Sequence, residues 1–251
     1  MKLSAPVYVL KRQAKQMSRR ERIPRLTALD RIAAKEGYER WSLLISKVFR
    51  DVSPAGVYAR LEPGELMLLG ARPRQGKTLF GLQLMLESVR AGRPGFIFTL
   101  EETEAGVMER LRFPGEESPQ DNDLLQLDCS DRISAAHIVE KMARAPAHSL
   151  AVIDYLQLLD QKRENPDLTT QVRALRDFAR SRNVVLVFLS QIDRAFELSG
   201  NAVPGPEHVR LPNPLDLALF DKVCFLGGGE VRVGDNAVRS SYARDRSSSK
   251  P

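Results

Sequence analysis

The chain has 251 residues, 43% of them hydrophobic and 28% charged, a composition that excludes a disordered or fibrous protein. Its formal net charge of +6 permits a polyanionic partner without requiring one. No apolar run approaches a membrane span and the basic N-terminus lacks a secretory core, so a cytoplasmic protein with no membrane partner is expected.

Residues 1–50 read as a small basic helical module. Lys11, Arg12, Lys15, Arg19, Arg20, Arg22 and Arg25 are opposed only by Glu21, and Pro24 interrupts the run. A helix is expected over Thr27–Lys35, with Leu29, Ile32 and Ala33 on one face and Gly37 as its stop. Another is expected over Glu39–Phe49, where Trp41 reads as a core anchor. These apolar faces are too small for an independent core, so the module should pack on the main domain or on a neighbouring subunit. Residues 51–64, with Pro54, Gly56, Pro63 and Gly64, read as a linker.

Beyond the linker, apolar strands alternate with amphipathic helices. Strands are expected at Glu65–Leu69, Gly95–Leu100, Leu124–Leu127, Leu150–Asp154, Val184–Leu189 and Val223–Leu226. Helices are expected at Lys77–Ala91, Thr103–Arg112, Ser134–Ala145 and Leu168–Arg180. Such alternation needs crossover connections, hence an α/β fold with a mostly parallel central sheet flanked by helices. Glu230–Val233 and Val238–Ser241 suggest a closing hairpin around Gly234-Asp235-Asn236. This domain would span 65–246, with 247–251 a flexible tail. Cys129 and Cys224 are far apart and lack metal-ligand spacing, while His137, His148 and His208 do not cluster and read as structural or surface residues.

The most informative stretch is Gly70-Ala71-Arg72-Pro73-Arg74-Gln75-Gly76-Lys77-Thr78, between an expected strand and an expected helix. That is the setting of a nucleotide-binding P-loop, in which the backbone N–H groups of residues 71–78 would surround the phosphates, ATP being the expected ligand. Lys77 would face the β and γ oxygens, and the Thr78 hydroxyl would hold Mg²⁺. Counting back from Gly76, the position of the usual first glycine holds Ala71, with Gly70 one place earlier. Three other strands end in polar groups. Asp154 suits a second Mg²⁺ ligand or a strand-end turn, and Glu101 or Glu102 suits activation of water or the start of a helix. Gln191 suits a γ-phosphate sensor or a solvated loop amide.

Taken together, GARPRQGKT, FTLEE, IDYLQLL and LSQIDR, in this order, resemble the RecA-like motor domain of DnaB-type replicative helicases. The resemblance covers Val57 to Leu226, and that family carries the same alanine at the P-loop position of Ala71. It implies a RecA-like P-loop NTPase core in which Lys77 and Thr78 hold phosphate and Mg²⁺. Asp154 becomes the Walker B carboxylate, Glu101 the residue that activates water, and Gln191 the sensor.

The resemblance further implies a ring-shaped homo-oligomer, a hexamer in that family, threaded by single-stranded DNA. The loops facing the strand would be Asp160–Asp167 and Arg194–Pro214, with Lys162, Arg163, Arg194 and Arg210 as phosphate contacts. An arginine finger reaching a neighbour's nucleotide would come from Arg244 or Arg246. Residues 1–50 stand where the family carries a helical collar. The expected function is therefore an ATP-hydrolysing, helicase-like motor on single-stranded DNA. The alternative is a nucleotide-dependent DNA-binding or regulatory assembly module that does not unwind.

Overall fold

Every position of Leu66–Ala71 is buried, as befits a strand flanked on both edges and covered on both faces. This strand, β1, lies in a computed structural model that describes residues 3–5, 7–44, 52–111, 122–154, 156, 159, 165–199, 203–211, 213–227 and 230–236. The other strands are β2 (Gly95–Thr99), β3 (Leu125–Asp128), β4 (Leu150–Asp154), β5 (Val185–Gln191), β6 (Lys222–Gly227) and β7 (Glu230–Asp235). Among the described residues they form a seven-stranded sheet in the order β3-β2-β4-β5-β1-β6-β7. All pairings are parallel except β6 with β7. The expected α/β architecture is the one observed.

Alternation along the strands divides the core into two layers. Leu66, Leu68, Phe96, Phe98, Ala151 and Ile153 face the layer that contains helix α6 (Ala135–Met142) and helix α7 (Leu168–Arg182). Met67, Leu69, Ile97, Leu150 and Val152 face helix α4 (Lys77–Arg90) and Val107 of helix α5 (Glu104–Arg110). From β1 the chain runs through α4 to β2, passing beyond β5 and β4. That crossover leaves a crevice at the C-terminal strand ends, where open α/β sheets bind ligands. Register brings Ala71 beside Gln191, and Asp154 beside both Thr99 and Leu189.

Three expectations need correction. Val7–Glu21 is a helix, α1, followed by α2 (Arg25–Lys35). Within the basic run, Leu10, Ala14 and Met17 recur at helical spacing and point to one side. Moreover, the small apolar faces do make a core. Leu10, Ala14, Ala28, Ile32, Ala33, Trp41 and Leu44 are all buried in one cluster. Trp41–Leu44 is helical, and residues 45–50 of the expected second helix lie outside the described residues.

Thirdly, Gly234 and Asp235 do not form the expected turn. Lys222 pairs with Asp235 and Gly227 with Glu230, so Gly234 and Asp235 belong to a strand. Residues 228–229 and Val238–Ser241 lie outside the described residues. Asn236 is buried and acts as a tie, its amide donating to the carbonyls of Leu217 at 2.6 Å and Phe220 at 3.1 Å.

Contacts divide the chain into two units, Met1–Gly56 and Val57–Pro251. A short helix, α3 (Pro54–Tyr58), spans that division, opened by the Ser53 hydroxyl accepting from Gly56 N at 3.1 Å. Among the described residues no helix is long and apolar enough to cross a membrane.

Candidate nucleotide site

The loop between β1 and α4 owes its shape to three small residues. A Cβ on Gly70 would lie 2.6 Å from the Phe225 ring of β6, so glycine there serves sheet packing. Ala71 is buried in the strand beside Gln191. The chain then turns through two left-handed residues, Arg74 with φ 64° and Gly76 with φ 82°. Gln75 N donates to the Arg72 carbonyl at 3.2 Å, and Phe80 N donates to the Gly76 carbonyl at 2.9 Å, starting the helix. Pro73, Arg74, Gln75 and Gly76 are exposed, and Arg72 is half-buried. The 14-residue α4 therefore begins at a solvent-facing loop. The N–H groups of its first turn and its positive dipole end suit an anion.

At the foot of this loop lies Asp154, which has no exposed surface. Lys77 Nζ donates to its Oδ1 at 3.0 Å, and Thr78 Oγ1 donates to its Oδ2 at 2.9 Å. Burying a carboxylate is costly unless it is paired and hydrogen-bonded, and here each oxygen has a donor. The two groups named as phosphate and cation ligands thus meet the β4 carboxylate directly. A hydroxyl and a carboxylate form a hard oxygen set of the kind Mg²⁺ takes alongside substrate phosphates. The loop, the α4 end and Lys77 fit the phosphates themselves.

Glu101 follows β2, its backbone N–H donating to Thr99 Oγ1 at 3.1 Å, and Thr99 pairs in register with Asp154. Burial and the nearby Asp154 charge push the Glu101 carboxyl above its ordinary range, with Lys77 opposing them. Glu102 is engaged differently. It forms an ion pair with Arg110 at 2.6 Å, beside the start of α5, where Thr103 accepts from Gly106 N.

Gln191 ends β5 and is gripped by the chain that returns to it. Arg210 N donates to the Gln191 carbonyl at 2.8 Å and Arg210 Nη1 to its Oε1 at 3.4 Å. An antiparallel bridge joins Ile192 to Val209, and Asp193 N donates to the His208 carbonyl at 2.8 Å. Arg194 is exposed at the head of a 3₁₀ turn, Arg194–Ser199. Arg210 is exposed as well, but one guanidinium nitrogen already serves Gln191. Asp216 caps the 3₁₀ turn Leu217–Leu219, accepting from Ala218 N at 2.9 Å. Lys162, Arg163, Arg244 and Arg246 lie outside the described residues.

Two supporting residues escaped the sequence. A Cβ at Gly81 would sit 3.1 Å from both Leu189 and Val152, so glycine lets α4 approach the sheet closely. Gln171, buried on α7, accepts from Ala135 N at 3.0 Å and donates to the carbonyls of Leu159 at 2.5 Å and Pro166 at 2.8 Å. It thereby ties the chain leaving Asp154 to the start of α6. Neither has a local sequence signal. His137 is held at 2.7 Å by Asp128, a structural pairing. Both cysteines are free thiols, and burial pushes that of Cys224 up to about 12.

Residues 115–210 match the family described as DnaB-like helicase C terminal domain. Among curated relatives, the replicative DNA helicase DnaB of Synechocystis sp. is 27% identical over 177 residues, covering 57% of this chain and 20% of that protein. That of Buchnera aphidicola is 25% identical over 219 residues, 69% of this chain and 47% of that protein. A probable plasmid replicative DNA helicase of Chlamydia trachomatis is 26% identical over 232 residues, 78% of this chain and 51% of that protein. The chain spans from 20% to 51% of the length of these relatives. Among solved structures, one described as an ATPase domain superposes with a TM-score of 0.56 at 19% identity, covering 77% of this chain and 90% of that one. A DnaB-like replicative helicase, described with its interactions with primase, gives 0.56 at 16% identity, covering 90% and 73%.

Proposed function

We propose that this chain, whose residues 115–210 match the DnaB-like helicase C terminal domain, carries from Val57 onward a RecA-like, ATP-hydrolysing motor domain that acts on single-stranded DNA as a ring oligomer. The observation that carries this proposal is the meeting of Lys77 and Thr78 on the buried Asp154. ATP would enter over the Arg74–Gly76 turn, its phosphates received by backbone N–H groups and the α4 dipole. Lys77 would exchange one Asp154 oxygen for the β and γ oxygens. Thr78 and Asp154 would hold Mg²⁺, which when bound neutralises charge on those oxygens.

Glu101, beyond the neighbouring strand, would orient a water for in-line attack and hold its proton. Burial and the Asp154 charge, which raise its carboxyl, support that role. Gln191 would report the γ-phosphate to the 194–214 loop through its two bonds to Arg210. An arginine from a ring neighbour would stabilise the transition state, so turnover per chain should rise with protein concentration.

Purified protein with Mg²⁺ and ATP should release phosphate, oligo-dT should stimulate it, and Lys77→Ala should abolish it. Absence of adenine-nucleotide binding by calorimetry would overturn the assignment. DNA-stimulated hydrolysis without strand displacement would assign the chain to nucleotide-gated assembly instead of unwinding.

A further inference from the structure

Helix α1 divides its surface by chemistry. Leu10 and Ala14 are buried with Ala28, Ile32 and Trp41, and Met17 packs against that cluster. At about 100° per residue, Lys11, Lys15, Arg19 and Arg12 fall within an arc of about 100° on the side away from it. All four are exposed. Positions 11, 15 and 19 succeed one another at about 6 Å along the axis, so each cation can meet a different phosphate of one strand.

Among the described residues of the unit, the acidic groups of Glu21, Asp30 and Glu36 are engaged elsewhere. Glu21 is engaged by Arg31 at 2.7 Å and Arg20 at 3.4 Å. Asp30 accepts from Trp41 N at 2.8 Å, and Glu36 accepts from Ser4 N at 2.7 Å. Among the described residues none of Lys11, Arg12, Lys15 and Arg19 forms an ion pair. Next to the stripe is a hollow of about 780 Å³, lined by Gln13, Gln16, Arg19, Arg20 and Lys35 together with Met17 and Ile32. Amide and apolar side chains lining one hollow can take base edges and faces together. Only an unpaired strand offers its bases to such a hollow, because a duplex keeps them stacked and paired.

We infer that α1 is a second binding surface for single-stranded nucleic acid, with phosphates on Lys11, Arg12, Lys15 and Arg19 and bases toward the adjoining hollow. The contact belongs to the Met1–Gly56 unit and needs no nucleotide. Its failure is therefore read separately from failure of the ATPase assignment.

The test compares the full chain with its K11Q/R12Q/K15Q/R19Q variant, after circular dichroism confirms an unchanged helix content. Fluorescence anisotropy would follow labelled oligo-dT, and a duplex of equal length, across a salt series without ATP. Each lost phosphate contact lowers the log–log salt slope by about 0.7 on a single strand, so a fall of roughly 3 is expected. Gln13→Ala with Gln16→Ala should weaken oligo-dT binding several-fold and leave that slope in place. An unchanged slope in the quadruple variant, a change confined to the duplex, or no binding by the unaltered chain would each overturn the inference. ATP-dependent phosphate release by the quadruple variant reports on the motor assignment alone.

Discussion

At the strand ends Lys77 lies 3.0 Å from a carboxylate with no exposed surface, whereas on α1 four exposed cations have no ion-pair partner among the described residues. The two regions hold charge on opposite terms. A buried charge must be met by specific donors, so each partner of Asp154 is individually indispensable. Solvated charges interact weakly and are screened by salt, so the α1 stripe acts only as a sum. One region is suited to chemistry, where a single misplaced group stops the reaction. The other is suited to sequence-independent adhesion, where each group is replaceable.

Removing Lys77 should break this contrast most forcefully. Lys77→Ala should eliminate ATP turnover and, by leaving a buried carboxylate with one donor, cost about 3 kcal/mol of stability. Asp154→Asn should cost less, because the lysine it releases can move toward solvent while the asparagine still accepts from Thr78. Urea titrations of the two variants check the order, and equal losses would mean that Asp154 is not the strained member of the pair.

Glu101→Gln should lower turnover by at least about 10²-fold with nucleotide affinity kept. In the unaltered chain the acid limb of the rate profile should sit above the ordinary glutamate range, because burial and Asp154 raise the Glu101 carboxyl. The sign follows from the ionised form being the active one. As pH falls through the raised value the base is protonated and activity is lost. The limb should vanish in Glu101→Gln, and its persistence would assign the proton to another group.

Much of the sheet was legible because buried parallel strands are continuous apolar runs between glycines, prolines and polar breaks. Leu150–Asp154 has the bounds its residues suggest, and β1 and β5 differ from expectation only at their ends. What failed depended on partners distant in sequence. Gly234-Asp235-Asn236 has turn composition, yet cross-strand register makes it strand and tie. Helix α1 was hidden because its few apolar positions are diluted by cations, and only packing against α2 and Trp41 distinguishes it from a charged coil. At the site, the motifs located the loop and the strand ends, but not the bonds between them. The Lys77–Asp154 contact joins residues 77 positions apart. The Arg210–Gln191 bonds and the Gln171 tie are equally non-local.

Gln171 tests whether the buried logic extends beyond the charged pair. Gln171→Leu keeps the volume but leaves Ala135 N and the carbonyls of Leu159 and Pro166 without that partner, at a cost of about 2 kcal/mol. Because the Leu159 and Pro166 carbonyls lie on the chain following Asp154, DNA stimulation of the ATPase should fall further than its unstimulated rate. A loss of stability with the stimulation ratio intact would confine Gln171 to the core.

The smallest expected effect belongs to a single cation of the stripe. Arg19→Gln removes an exposed charge with no ion-pair partner among the described residues, so its unfolding free energy should change by less than about 0.5 kcal/mol. Its salt slope on oligo-dT should fall by about 0.7, one contact's share, because counterion release counts neutralised phosphates individually. Equal decrements from Lys11→Gln, Arg12→Gln and Lys15→Gln would establish additivity, the property that separates this surface from the Asp154 site. If Arg19→Gln alone removed most of the slope, the helix would hold one specific anion site, and the contrast between the two regions would fail on α1.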